Sequence, residues 1–149
     1  VEVYKKENLS KEDLDFIKTT LSESGQLKDN DYIYRNLAYA YIIRKNNNII
    51  AFSCLKNNIR KQLPSWLNIR DYDYELGYSW AHIDTAGLGI YYRVVSKIMN
   101  DCKTSNFSCW TASLKQTRGR ERMWGGHKKW FDKQIGEDDR IVYWALEKK

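Results

Sequence analysis

The stretch "YELGYSWAHIDTAGLGIYYRVVSKIM", residues 74–99, decides how this chain folds. Its front part, within "DYELGYSWAHI" at 73–83, carries apolar and aromatic residues on both parities, the pattern of a central, mostly buried strand. Its back part, within "GIYYRVVSKIMNDCKTS" at 89–105, places Ile90, Val94, Val95, Ile98 and Met99 on one face of a helix. Between them stand Gly87 and Gly89. Glycine is costly unless the backbone turns in a way other residues resist, or something comes close to it. Two physical readings follow. One is a strand-to-helix turn that needs glycine. The other is an anion cradle, in which the amides of Leu88, Gly89, Ile90 and Tyr91 meet a phosphate at the positive end of the helix dipole.

Working outward, "VEVYKK" at the start alternates as a short strand. Ser10 precedes "KED" and an apolar stripe of Leu14, Ile17 and Leu21, which predicts a capped helix ending near Gly25; Asp13 takes the place of the glutamate of a capping box. Residues 36–57 read as a hairpin, "AYAYIIR" and "IIAFSCL" around "KNNN", with asparagines suited to left-handed turn positions. Residues 57–73, with the only proline, Pro64, read as a long, partly helical loop or a pair of short strands. "NFSCWTASL" at 106–114 is a further strand, and 116–130 a basic helix broken at Gly125 and Gly126. "WFDKQIG" and "RIVYWALEKK" close the chain as strands around "GEDD". The order is β-α-(α)-β-β-β-α-β-α-β-β. Its central strand–helix–strand predicts a parallel crossover, and its hairpins predict antiparallel pairs, so the class is a mixed α/β sheet.

Composition narrows the possibilities. A chain of 149 residues that is 42% hydrophobic is expected to form one domain over 1–149 with a real core. The formal charge of +6 favours anionic partners such as nucleotides, phosphorylated cofactors or nucleic acid, and equally serves solubility. Cys54, Cys102 and Cys109 lack metal-ligand spacing and do not pair evenly, and His82 and His127 lie far apart. No zinc site or disulfide framework is expected, and a reduced, cytoplasmic setting fits. No apolar run approaches the ~18 residues of a membrane span, and "VEVYKKENLS" lacks the apolar core of a signal peptide. Cys54 and Cys109 fall in predicted strands, where a buried thiol acts as a small hydrophobe, so no cysteine nucleophile is expected.

From Glu75 onward the sequence "ELGYSWAHIDTAGLGIY" resembles the GNAT acyltransferase superfamily, whose members read "E-L-x-x-x-x-V-x-P-x-x-R-G-x-G-I-G" from the fourth strand into the third helix. Glu75 lies twelve residues before Gly87, as in many members. Gly87 and Gly89 match the two inner glycines, and Ile90 the following apolar residue. The order of elements agrees along nearly the whole chain. Two positions depart: the usual arginine is Ala86, and the small residue after Ile90 is Tyr91. After the fifth strand, "RGRERMWGGHKKWF" keeps only an outline of the family's pattern, with Trp124, Gly126 or His127 near the expected tyrosine acid.

The resemblance implies a GNAT-like fold: a mixed, mostly antiparallel sheet flanked by helices, with a central parallel strand pair. It implies an N-acyltransferase that uses acetyl-CoA (coenzyme A), the acyl group passing to an amine by direct attack. Ala81, Ile83, Ala86, Gly87, Leu88, Gly89, Ile90 and Tyr91 would then surround the cofactor. Lys115, Arg118, Arg120 or Arg122 are placed to reach its phosphates.

Such chemistry needs a base and donors for the oxyanion. Glu75 is the candidate base; its alternative is a surface carboxylate paired with Arg70 or Lys56. His82 is a candidate proton relay; its alternative is a hydrogen-bonded structural residue. A second class of function rests on "KQTRGRERMWGGHKKW", where Arg118, Arg120, Arg122, Lys128 and Lys129 interleave with aromatic residues as nucleic-acid binders do. That reading gives a GNAT-like tRNA acyltransferase or a DNA modifier resembling the phage Mom group. A third is a degenerate GNAT-like module that binds without chemistry. The acceptor amine is open in all of them.

Overall fold

Strand β1 (Glu2–Lys5) pairs antiparallel with β2 (Leu37–Lys45), which turns back into β3 (Asn48–Asn57). The turn is made by Asn46 at φ 52° and Asn47 at φ 67°, both left-handed. Two such residues give a hairpin turn whose twist matches that of the strands, so the asparagine run does what its chemistry suits it to do.

The computed structural model describes residues 1–24, 30–58, 65–69, 71–117, 120–121 and 130–149. The remaining elements are α1 (Lys11–Glu23), α2 (Asn30–Asn36), β4 (Tyr74–Ala81), α3 (Ile90–Ser105), β5 (Cys109–Leu114), β6 (Gln116–Thr117), β7 (Arg120–Glu121), β8 (Lys133–Glu137) and β9 (Ile141–Leu146). Among the described residues seven strands follow the order β1-β2-β3-β4-β5-β9-β8, and β6 and β7 form a separate pair. The β4–β5 pairing is parallel, with Tyr74 opposite Cys109 and Glu75 opposite Trp110. The β5–β9 and β8–β9 pairings are antiparallel. This is the mixed, mostly antiparallel α/β sheet with a central parallel pair that the sequence predicts.

The chain divides into two units, Val1–Asn57 with Leu76–Ile98, and Asn58–Glu75 with Met99–Lys149. In the first, Ile17 and Leu21 of α1 and Ile33 of α2 pack on Leu37, Ala40, Ile42, Phe52, Cys54 and Tyr78. Each fully buried isoleucine, leucine or phenylalanine among these contributes about 1.5–3 kcal/mol. Ser10 caps α1 by accepting the Asp13 N–H at 3.1 Å. Asp13 does not return the bond as a capping-box glutamate would. Its carboxylate instead takes both guanidinium nitrogens of Arg44 in β2, whose Nε is 2.9 Å from Glu2 Oε2. Tyr4 donates to the same Glu2. Arg44 thereby ties β1, β2 and α1 together. The expected apolar face of α3 is buried at Val94, Val95 and Ile98. Gly25, the expected helix stop, lies outside the described residues.

The second unit has its own core of Leu67, Ile69, Trp110, Tyr143 and Ala145. Asn58 anchors it: its Nδ2 donates to the carbonyls of Ile69 (2.5 Å) and Tyr72 (2.8 Å), and its Oδ1 accepts Trp110 Nε1 at 3.0 Å. Cys102 and Cys109 are buried in this unit, and Cys54 is buried in the first. Burial pushes the Cys54 thiol up to about 12. A hydrogen bond that the Cys109 thiol donates to Cys102, together with burial, pushes Cys109 well above its usual value. Both are small hydrophobes rather than nucleophiles.

Two expectations need correction. The basic helix expected from 116 opens instead as two short strands, with Gln116 opposite Glu121 and Thr117 opposite Arg120. The stretch "QTRGRE" carries no apolar residue at helical spacing, so nothing local opposes this pairing, and 118–119 and 122–129 lie outside the described residues. In β4 only Leu76 and Tyr78 are buried, so this central strand is half-covered rather than mostly buried.

Two predictions test these anchors. Bonding to Arg44 holds the Asp13 carboxyl below the usual carboxylate range. Its share of stability is full above the unfolded value of about 4 and is lost as pH falls through the depressed folded value. Asp13→Asn is therefore expected to cost about 2 kcal/mol at neutral pH and to flatten the acid limb of the stability curve, measured by denaturant melts from neutral to acid pH. In the second unit, Asn58→Leu leaves Trp110 Nε1 and two carbonyls without their partner, and is expected to cost about 2–4 kcal/mol in the same melts.

Candidate cofactor loop and the residues around it

β4 reaches Ala81, and His82 takes the next step. Its N–H donates to the Ile50 carbonyl of β3 at 2.8 Å, which fixes where the strand ends. Its imidazole Nδ1 accepts the Asp84 N–H at 3.1 Å, so His82 caps the short 3₁₀ turn Ile83–Thr85 as a serine or asparagine caps a helix. The Thr85 hydroxyl donates to the His82 carbonyl at 2.6 Å, and the Thr85 amide to the same carbonyl at 2.9 Å. The Ala86 amide bonds the Ile83 carbonyl and the Leu88 amide the Thr85 carbonyl, each at 3.1 Å. The loop is therefore held by its own backbone before any ligand is considered.

Gly87 at φ 80° and Gly89 at φ 70° then turn the chain into α3. These left-handed values are where a side chain is strained. A Cβ placed at either glycine meets nothing within 4 Å, so both face open space. The glycines are needed for backbone conformation, and they also leave the approach to the helix start clear. The Arg93 N–H to Gly89 carbonyl bond, 3.1 Å, opens the ladder of α3. The amides of Gly89, Ile90, Tyr91 and Tyr92 precede it, at the positive end of a 16-residue helix.

The predicted site residues fall as follows. Ala81 ends β4 half-buried, while Ile83, Ala86, Gly87, Leu88 and Gly89 are exposed and Ile90 and Tyr91 half-buried. The Leu88 amide, expected to face an anion, is spent on Thr85. His82 stands as the cap of the loop's turn, with Nδ1 engaged. Glu75 is half-buried in the second unit, opposite Trp110. Lys115 pairs with Glu137 at 2.7 Å, which lowers the Glu137 carboxyl. Arg120 lies in β7. Arg118, Arg122, Lys128 and Lys129 lie outside the described residues, with Trp124, Gly126 and His127. Among the described residues no group of His, Cys, Asp and Glu could hold a metal ion, and no helix is long and apolar enough to cross a membrane.

Sequence reasoning missed one feature of β4. Tyr78, in mid-strand, lies at φ 52°. Holding a tyrosine there costs about 1–3 kcal/mol. The only local signal was Gly77 beside it, since glycine inside a strand often marks a bulge or a close approach.

No protein-family model and no curated protein matches this sequence. Solved structures do match. An acyl-CoA N-acyltransferase from Pseudomonas aeruginosa aligns over 97% of this chain and 97% of its own, with TM-score 0.69 at 8% identity. An aminoglycoside 6'-N-acetyltransferase complexed with coenzyme A aligns over 97% and 96%, with TM-score 0.64 at 10% identity. The ribosomal-protein-S18-alanine N-acetyltransferase from Escherichia coli aligns over 97% and 92%, with TM-score 0.64 at 9% identity. At these identities the likeness speaks for the fold, and it runs nearly end to end. The chain has the fold of the GNAT acyltransferases.

Proposed function

We propose that this protein is an acyl-CoA-dependent N-acyltransferase, and that the loop from His82 to Gly89 with the first turn of α3 holds the diphosphate of coenzyme A. The observation that supports this most is the pair of left-handed glycines facing open space immediately before a long helix. A diphosphate needs several N–H donors and a close backbone approach. The amides of Gly89 and Ile90 would supply donors, and Gly87 and Gly89 the clearance. Ala86 brings no charge, so binding rests on backbone amides and the helix dipole. When bound, acyl-coenzyme A would supply the acyl group as an activated thioester, with coenzyme A leaving as the free thiol.

His82, with Nδ1 bonded to the Asp84 amide, shapes the loop in this reading, and a proton relay at this residue would run through its other ring nitrogen, Nε2. Glu75 is proposed as the base that takes the proton of the attacking amine, directly or through water. The buried cysteines leave direct attack by the amine as the route, without an acyl-enzyme. The acceptor is an amine of a class still to be found, and a soluble, reduced setting suits the three free thiols. The nucleic-acid reading rests on residues that, Arg120 aside, lie outside the described part of the chain.

Two predictions follow from this reading. Gly89→Trp fills the approach to the helix start; it is expected to abolish coenzyme A binding, read by calorimetry, while the far-ultraviolet circular dichroism stays that of the parent. Undiminished binding in that variant would remove the loop assignment. Glu75→Gln is expected to keep coenzyme A affinity and to lower kcat by about 100-fold or more, with loss of the acidic limb of the pH–rate profile. An unchanged profile would assign the base elsewhere.

A further inference from the structure

The left-handed Tyr78 sits inside a small interlock of the first unit. Its ring is buried against the α1 and α2 core. Lys56, near the end of β3, holds its ammonium 4.4 Å from the centre of that ring. The lysine stem gets there by crossing Gly77. A Cβ on Gly77 would lie 2.7 Å from Lys56 Cε and 3.0 Å from Nζ. Gly77 has no left-handed φ of its own, so its missing side chain serves the passage of the lysine rather than a turn. Downstream of the kink, Ser79 Oγ meets Ser53 Oγ at 2.6 Å and the His82 N–H meets the Ile50 carbonyl at 2.8 Å. The kink is thus fastened to β3 at Tyr78 itself, by a cation over its ring, and beyond it by hydrogen bonds at Ser79 and His82.

A left-handed residue inside a strand re-aims everything that follows it. Here that is Ser79, Trp80 and Ala81 and then the His82 cap, from which the glycine loop starts. We propose that Lys56 is a positioning residue for the glycine loop: its ammonium pins the Tyr78 ring, the pinned ring keeps the strand kinked, and the kink sets the direction in which β4 delivers the loop. The consequence for ligand binding rests on the coenzyme A reading above; the mechanical part does not.

The test uses the full chain with Lys56→Met, which keeps the stem and removes the charge; Lys56→Arg, which restores a cation; and Gly77→Ala, which leaves the lysine in place but obstructs its path. Hydrogen exchange of the ligand-free proteins is expected to speed up at residues 79–89 in Lys56→Met and Gly77→Ala, with α1 and β1 unaffected, and to return towards the parent in Lys56→Arg. Coenzyme A affinity, by calorimetry, is expected to fall about tenfold in the first two and to recover in the third, the size a partly desolvated cation–π contact supports. Parent-like exchange at 79–89 in both Lys56→Met and Gly77→Ala would overturn the proposal. So would equal loosening in Lys56→Arg, because the cation would then not be the pin. Loosened exchange with unchanged coenzyme A affinity would overturn the link to binding. If the parent binds no coenzyme A, the functional reading fails, and the exchange data alone still decide whether Lys56 positions the loop.

Discussion

Everything distinctive about the candidate site depends on one backbone constraint: β4 must pass into α3 through two left-handed residues, Gly87 and Gly89, with no side chain on either. Residues with a Cβ resist those angles, so the joint belongs to glycine. The constraint propagates in both directions. Forward, it lets α3 begin at Ile90 with its leading amides at an open helix start. Backward, it requires a turn rigid enough to present the glycines, and the bonds among His82, Ile83, Asp84, Thr85, Ala86 and Leu88 provide that turn from the chain's own groups. A loop that satisfies itself needs little ordering when an anion arrives, which is how preorganisation serves binding.

The scaffold under the joint is fastened by polar groups as well as by the core. Arg44 gathers Glu2 and Asp13, so β1, β2 and α1 share one partly buried charge cluster. Asn58 does the corresponding task in the second unit with three satisfied hydrogen bonds on a buried tryptophan and two carbonyls. In both cases removing one partner strands the others, which is why single polar substitutions there are expensive.

Features set by neighbouring residues were legible in the sequence. The Ser10 cap, the Asn46 and Asn47 turn and the buried stripe of α3 depend on chemistry within a few positions, and the element order with the glycine joint was enough to reach the GNAT fold. Features set at a distance were not. Asp13 read as an imperfect capping box because its partner, Arg44, lies 31 residues away. Lys56 and Tyr78 meet only once β3 and β4 lie side by side, and nothing in a tyrosine announces a left-handed backbone. His82 carried two readings in the sequence, a proton relay and a hydrogen-bonded structural residue, and which backbone amide its Nδ1 would accept, that of Asp84, depends on the turn the fold imposes there. The basic segment after Lys115 read as a helix on composition, while the pairing of Gln116 and Thr117 with Glu121 and Arg120 is set by backbone contacts that composition does not show.

The proposed diphosphate site at the glycine joint is tested most directly by a pair of calorimetric titrations of the unmodified protein, with coenzyme A and with pantetheine, which lacks the diphosphate, the adenosine and its 3′-phosphate. The account predicts micromolar binding of coenzyme A and pantetheine weaker by about 100-fold or more, since charge-assisted bonds to several amides are lost together. Equal affinities, or no binding of coenzyme A at all, would contradict it.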